Sequence, residues 1–472
     1  MGMLKKIFIS IIITIVNGCA AYQSKTVNNV TTAITDQGIQ YKSAENSDQK
    51  MINYDDSADA LFTDARSLQQ QRQFKPAIKK YEEALSKYQT LAKTNPDTYL
   101  SKVAMTLNSL GLLYNDNSAH KKAQSAYEEA LEIYRTLAKT NPNAYLSEVA
   151  MALNSLGLLY YSNNAHTKAQ SAYEEALEIY RTLAKTNPDA YLSEMAMTLN
   201  SLGIVYRVNN AHTKAQSAYE GALEIYRTLA KTNPDTYLSE IAMTLNSLGL
   251  LYSDNNAHTK AQSAYEGALE IYRTLAKTNP DAYLSEVAMT LNGLGLLYHS
   301  NNAHTKAQSA YEEALEIRRT LAKTNPDAYL SEMAMAINNL GSLYYSNNAH
   351  TKAQNAYEEA LEIYRTLAKT NPNAYLSEVA MALNNLAVLY YNNNAHTKAQ
   401  SAYEEALKIY RTLAKTNSDA YTIDVANTLI MGVIFLKQPA VQLSKAKNLL
   451  QDFDHIPKVQ RLLEVIDKKL GK

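Results

Sequence analysis

Residues 145–189 read YLSEVAMALNSLGLLYYSNNAHTKAQSAYEEALEIYRTLAKTNPD, and this stretch decides the fold. Leu146, Val149, Leu153, Leu156 and Tyr160 step by 3, 4, 3 and 4, and Ala169, Tyr173, Ala176, Tyr180 and Leu183 by 4, 3, 4 and 3. Each series is one apolar stripe on a helix, so the stretch predicts two amphipathic helices. Between them Ser162, Asn163 and Asn164 are expected to stop the first helix and cap the second, because an asparagine side chain accepts from first-turn amides. Lys185, Thr186, Asn187 and Pro188 end the second helix, where a cation suits the negative end and proline blocks continuation. An antiparallel pair follows. Gly157, Ala169 and Ala176 are small enough to let its members approach closely, while Leu153, Leu156, Tyr160 and Tyr173 fill the flanks.

The stretch recurs along the chain. Pro96, Pro142, Pro188, Pro234, Pro280, Pro326 and Pro372 mark a spacing of 46 residues, and Tyr81, Tyr127, Tyr173, Tyr219, Tyr265, Tyr311, Tyr357 and Tyr403 keep the same register. A fixed period of this size means that each unit buries its apolar face against the next. Residues 58–419 are therefore expected to form one all-α array of about eight repeats. Asp64 and Ala65 stand where later copies have Leu and Gly, so the first helix of the array is more polar and faces solvent. Beyond Tyr421 the pattern decays, and residues 420–472 read as a degenerate helical cap. There Ile430, Val433, Ile434 and Phe435 pack inward, Pro439 opens a helix, and Ile456 to Leu470 form a final amphipathic one.

The 472 residues carry 46 basic and 46 acidic side chains, which leaves no long-range field to attract nucleic acid. At the amino end Lys5 and Lys6 precede an apolar run, Ile7 to Val16, followed by Asn17, Gly18 and the single cysteine, Cys19. Charged, hydrophobic and small residues in that order form a secretory signal, and the run is too short to span a bilayer. The stretch from Val16 to Cys19 resembles the lipobox of bacterial lipoproteins. That resemblance implies a signal over residues 1–18, lipidation at Cys19 and, since Ala20 is not an aspartate, anchoring in the cell envelope at an outer membrane. Residues 19–57 are polar, carry no helical stripe and read as a disordered tether, with an end-to-end distance of roughly 30 to 40 Å.

Leu153, Leu156, Gly157 and Tyr160, followed by Ala169, Tyr173 and Ala176, resemble the tetratricopeptide repeat, in the lengthened form of kinesin-light-chain-like arrays. The resemblance implies a right-handed α-solenoid whose first helices line a concave groove that binds an extended peptide or protein segment. Asn108, Asn154, Asn200, Asn246, Asn292, Asn338 and Asn384 form one ladder on those helices. An amide that both donates and accepts can pair with a peptide backbone in the groove; alternatively each Asn bonds a neighbouring helix and fixes the stacking. Beside the ladder runs a strip that differs between copies, including Tyr161, Arg207, His299, Tyr345 and Tyr391. It reads either as a selectivity strip or as drift at helix ends. Lipoproteins of this repeat type also act as assembly factors in pilus or outer-membrane biogenesis, through their flanks and ends.

Catalysis and metal binding find no support in the pattern. His120, His166, His212, His258, His304, His350 and His396 are copies of one position, on the order of 10 Å apart in stacked helices, so they cannot share an ion. Ser, His and Asp abound only as replicated positions, with no HExxH or phosphate loop, so neither an enzyme nor a cofactor is expected. Gly221 and Gly267 replace a glutamate found in other copies, and Arg318 replaces a tyrosine, placing a charge within a helix face.

Overall fold

The computed structural model describes residues 52–454 and 457–471. The readings of a signal, of Cys19 and of a tether as far as residue 51 lie outside the described residues. The first described helix begins at Ile52, ahead of the array start expected at residue 58.

The described residues form nineteen α-helices, one short 3-10 turn and no strand. They fall into two compact units, residues 52–257 and 258–471. The first unit runs α1 (Ile52–Gln70), α2 (Phe74–Ala92), α3 (Pro96–Asp116), α4 (His120–Thr140), α5 (Pro142–Ser162), α6 (His166–Thr186), α7 (Pro188–Val208), α8 (His212–Leu229) and α9 (Pro234–Asp254). The second runs α10 (His258–Thr278), α11 (Pro280–Ser300), α12 (His304–Thr324), α13 (Pro326–Ser346), α14 (His350–Thr370), α15 (Pro372–Asn392), α16 (His396–Thr416), α17 (Ser418–Phe435), α18 (Val441–Leu450) and α19 (Pro457–Leu470). Within each unit every α-helix packs on its predecessor and successor.

The two kinds of loop close differently. After α5, Asn164 takes a left-handed φ of 58°, Ala165 N–H donates to the Tyr160 carbonyl at 2.8 Å, and Asn164 N–H donates to Tyr161 at 3.0 Å. Asparagine tolerates this conformation, and the paired bonds satisfy carbonyls that the helix end leaves open. The following helix has Ala165 at its N-cap with no side-chain cap bond, so Asn163 and Asn164 end one helix without capping the next. The capping asparagine sits in the other loop. Asn187 accepts from Ala190 N–H at 3.3 Å, and Pro188 opens α7 at the position where a missing N–H does no harm.

Gly157 allows the closest approach inside a pair. A Cβ there would lie 2.8 Å from the ring of Tyr173, which is itself buried. Overpacking of this kind costs about 1–3 kcal/mol, more than the roughly 1 kcal/mol of helix preference that alanine would gain. Around these contacts Leu153, Leu156, Ala176 and Tyr180 form the core of the first unit, and Leu340, Tyr357, Ala360 and Tyr364 hold the equivalent places in the second. The expectations for the two ends are met in part. Asp64 is exposed and paired with Lys80 at 3.5 Å, Ile430 and Phe435 are buried, and Pro439 precedes the helix that begins at Val441.

Successive second helices are strutted on their outer side. Arg135 pairs with Glu175 at 2.5 Å in the first unit; Arg273 pairs with Glu313 at 2.5 Å, Arg319 with Glu359 at 3.2 Å and Arg365 with Glu405 at 2.7 Å in the second. Gly221 removes the acceptor for Arg181, which turns back onto Glu178 of its own helix at 2.6 Å. A Cβ on Gly221 would meet only Leu199 Cδ1, at an ordinary 3.5 Å. Gly221→Glu should therefore raise stability by about 1 kcal/mol. Most of that comes from helix preference and the rest from an exposed ion pair, and a rise in the urea midpoint would show it.

Successive first helices are joined by buried polar bonds. Asn154 donates to Thr198 Oγ at 2.9 Å, and Thr198 donates to the Glu194 carbonyl at 2.8 Å. Asn200 reaches Thr244 at 2.8 Å and Asn384 reaches Thr428 at 2.9 Å in the same way. Ala336 and Ala382 lack that hydroxyl. There Asn339 donates back to Asn292 at 2.8 Å, and Asn385 to Asn338 at 3.1 Å, where other copies have serine or glycine. Thr198→Ala should cost about 1–3 kcal/mol by stranding the buried Asn154 amide. Adding Ser201→Asn should recover most of the loss, because the pair then reproduces Ala336 and Asn339. Urea unfolding of the single and double variants checks both statements.

Candidate functional site

The asparagine ladder lies between helices. Asn108, Asn154, Asn200, Asn246, Asn292 and Asn338 are all buried, with exposures between 0% and 8%, and Asn384 is half-buried. Stacking uses these amides, so the row of peptide contacts expected of them is not what the first helices present. The reading in which each Asn bonds its neighbour describes the geometry. Asn108 is the exception that fits the rule. The next copy offers Ala152 and Ser155 in place of Thr or Asn, and Asn108 Oδ1 is buried without a partner like those of Asn200 and Asn384, but without the bond to a threonine that their NH2 groups make.

The variable strip is also occupied by contacts within and between repeats. Tyr161 is buried against the ring of His166, 5.4 Å between centroids. Arg207 pairs with Asp254 at 2.9 Å, with 10% of its side chain exposed. In the second unit His299 Nε2 lies 3.0 Å from Ser346 Oγ, Asn392 bonds the Tyr345 hydroxyl, and Tyr391 packs on His396 at 4.9 Å. Burial, with His304 nearby, pushes the His299 imidazole down to about 4, so it is neutral at physiological pH.

What the first helices leave open is a different row. Met151, Ser155 and Leu158 lie at i, i+4 and i+7, on the side of α5 opposite Leu153, Leu156 and Gly157, where Met151 and Ser155 are partly exposed and Leu158 is buried. We call this side the open face. In the first unit Met105, Met151, Met197 and Met243 are all partly exposed there and lie outside the hydrophobic core. Leu112 and Leu250 continue the stripe partly exposed, and Leu158 and Ile204 lie buried beneath it. The serines between turn inward: Ser109, Ser155, Ser201 and Ser247 each bond the methionine carbonyl of their own helix, at 3.0 to 3.1 Å. The face is therefore apolar along its centre. Sequence reading passed over these methionines because they recur without variation, and a repeated apolar residue looks like core.

Glu148, Glu194 and Glu240 flank the stripe, one turn before each methionine, and are partly exposed. Burial raises the carboxyls of Glu194 and Glu240 above the usual range, and one oxygen of Glu194 is buried with no hydrogen-bond partner. Ser147 and Ser239 donate to Glu148 and Glu240 at 2.6 Å. At the head of the row Lys102 takes the glutamate's place and pairs with Asp59 at 2.8 Å.

The second unit builds the same face differently. Met289 and Met381 are buried, Ser342 stands where the first unit has Leu or Ile, and it bonds the Tyr357 hydroxyl at 3.1 Å. Arg318 does not ride on an exposed helix face. It is 1% exposed, with Nη1 3.2 Å from Glu332. Burial pulls its guanidinium down, and Glu332 and Glu286 oppose that pull.

On the outer side, second helices enclose a cleft of about 630 Å³ in each unit. One is lined by Leu131, Leu153, Leu156, Arg135 and Glu175, the other by Leu269, Leu291, Leu294, Arg273 and Glu313. Among the described residues no group of three His, Cys, Asp or Glu could hold a metal ion, and no helix is long and apolar enough to cross a membrane.

A family model described as tetratricopeptide repeat matches residues 102–182, 194–274, 240–320 and 332–412. Solved structures that resemble the chain include BtubC (BKLC) from P. vanneervenii, 25% identical, covering 53% of this chain and 92% of that one with a TM-score of 0.43. PilF of Pseudomonas aeruginosa is 16% identical, covering 58% and 94% with a TM-score of 0.36. A tetratricopeptide repeat protein from Parabacteroides merdae is 16% identical, covering 65% and 93% with a TM-score of 0.38. No curated protein matches the sequence. With helix pairs repeating every 46 residues and the family model matching most of its length, the chain belongs to the tetratricopeptide repeat family.

Proposed function

We propose that the chain is a non-enzymatic scaffold, tethered to the cell envelope through a lipid on Cys19, that holds a segment of a partner protein on the open face of its first helices. The observation that carries this reading is the row of partly exposed methionines in the first unit, on a face whose serines are already bonded within the fold. Methionine is flexible and polarizable, so a row of it can fit varied apolar side chains at modest conformational cost. The runner-up is an envelope assembly factor that docks through its flanks, and the matching outer clefts favour it.

A photo-crosslinking side chain placed at Met197 should form partner adducts in intact cells, while the same group at exposed Glu178 on the outer side should form none. Adducts at Glu178 alone would replace the groove with the flank. For the tether, Cys19→Ala should move the protein from the membrane to the soluble fraction. Continued sedimentation with membranes would remove the lipid anchor from the reading.

A further inference from the structure

The open face of the first unit indicates the chemistry of its occupant. We infer that it takes an extended protein segment carrying lysine or arginine in register with Glu148, Glu194 and Glu240, with apolar side chains between them resting on Met151, Met197 and Met243. The inference rests on the groove reading above and goes beyond it, since that reading leaves the partner's composition open.

The first argument is charge. No ion pair in this unit includes Glu148, Glu194 or Glu240, while Lys102 at the head of the row is already held by Asp59. The three carboxylates therefore flank the stripe without a cation, and Glu194 and Glu240 lose part of their hydration to burial, which an incoming cation would offset. The second is an internal comparison. In the second unit the same row receives a cation from within, as Arg318 meets Glu332. The repeat thus accommodates a guanidinium against this carboxylate, and the first unit has the carboxylates without the guanidinium. The third is spacing. Packed helices lie about 8–10 Å apart, and a chain in the polyproline II form of the extended backbone advances about 3.1 Å per residue with three residues per turn, so cations three residues apart share one side and would match successive first helices.

The test uses the full chain and a fluorescein-labelled peptide with lysine at every third position and leucine and serine between. Fluorescence anisotropy should show saturable binding that weakens with salt, and the same peptide with glutamate for lysine should bind at least about tenfold more weakly. The triple variant Glu148→Gln, Glu194→Gln, Glu240→Gln should lose about tenfold in affinity for the lysine peptide, as expected for three partly exposed pairs. It should keep its melting temperature, because none of the three carboxylates is in an ion pair within the unit and burial already disfavours the charged forms of Glu194 and Glu240. The variant Glu132→Gln, Glu178→Gln, Glu224→Gln removes the same charge from the exposed outer side and should change affinity less than about threefold. Equal losses in the two triple variants, or equal binding of both peptides, would overturn the inference. A third variant separates this failure from failure of the groove. If Met151→Ser, Met197→Ser, Met243→Ser loses binding and the inner glutamine variant does not, the groove stands and the basic partner falls. If neither loses binding, both fall.

Discussion

Along most of the array a buried amide on one first helix finds its partner on the next, and the substitutions between copies are arranged around that bond. Leaving such a group unbonded costs about 1–3 kcal/mol, a large share of the stability that one repeat contributes. The chain makes the bond in two ways. Threonine stands 44 residues after the asparagine at Thr198, Thr244 and Thr428, or a second asparagine stands 47 residues after it at Asn339 and Asn385. The two partner positions differ by three residues, nearly one turn of the same helix, so both reach the same amide, the threonine by accepting from it and the asparagine by donating to it. This accounts for a pair of substitutions that look unrelated in the sequence. Ala336 and Ala382 lose the hydroxyl, and Asn339 and Asn385 compensate for it.

The same logic covers the strip that varies. Near-identical copies offer near-identical apolar surfaces, so Leu, Ala and Tyr packing alone distinguishes poorly between correct stacking and a slip. Directional pairs supply the missing selectivity, as polar positions do in coiled coils. Arg207 with Asp254, His299 with Ser346 and Tyr345 with Asn392 each join residues 47 apart, and each pair has its own chemistry. Arg207 meets a carboxylate; His299, neutral at physiological pH, meets a hydroxyl. Tyr161 and Tyr391 pack on the recurring histidine, whereas at Arg207, His299 and Tyr345 the varying residue is matched to one neighbour 47 residues on. That is a physical reason for diversity that requires neither drift nor a ligand.

The helices were legible from sequence because a period of 3.6 residues marks one face of one helix, and proline and asparagine marked the ends. The depth of the asparagines was not. Periodicity shows that Asn154 lies off the leucine stripe, but whether that direction meets solvent or the next repeat depends on how repeats are offset, and no single copy encodes the offset. The loop chemistry was half legible. Ser162, Asn163 and Asn164 do end α5, yet the left-handed turn at Asn164 that closes it leaves no side chain for capping α6. The sequence puts the Arg318 charge within a helix face without giving its depth, and the packing shows a guanidinium held inside beside Glu332 and Glu286.

Selectivity then belongs in a place that reading the copies against one another would pass over. If the strip and the ladder are used within the fold, a partner meets what remains, the methionine row and the carboxylates beside it. These hardly change along the first unit, so they form a uniform track suited to a segment with a simple repeated composition. The second unit breaks the track at a few points, with Met289 and Met381 buried, Ser342 in place of an aliphatic residue, and Arg318 set against Glu332. Each of these changes lowers either the apolar or the acidic character of the face. One repeat template therefore yields two faces of different chemistry, through substitutions that the 46-residue period makes easy to find and that only the packing explains.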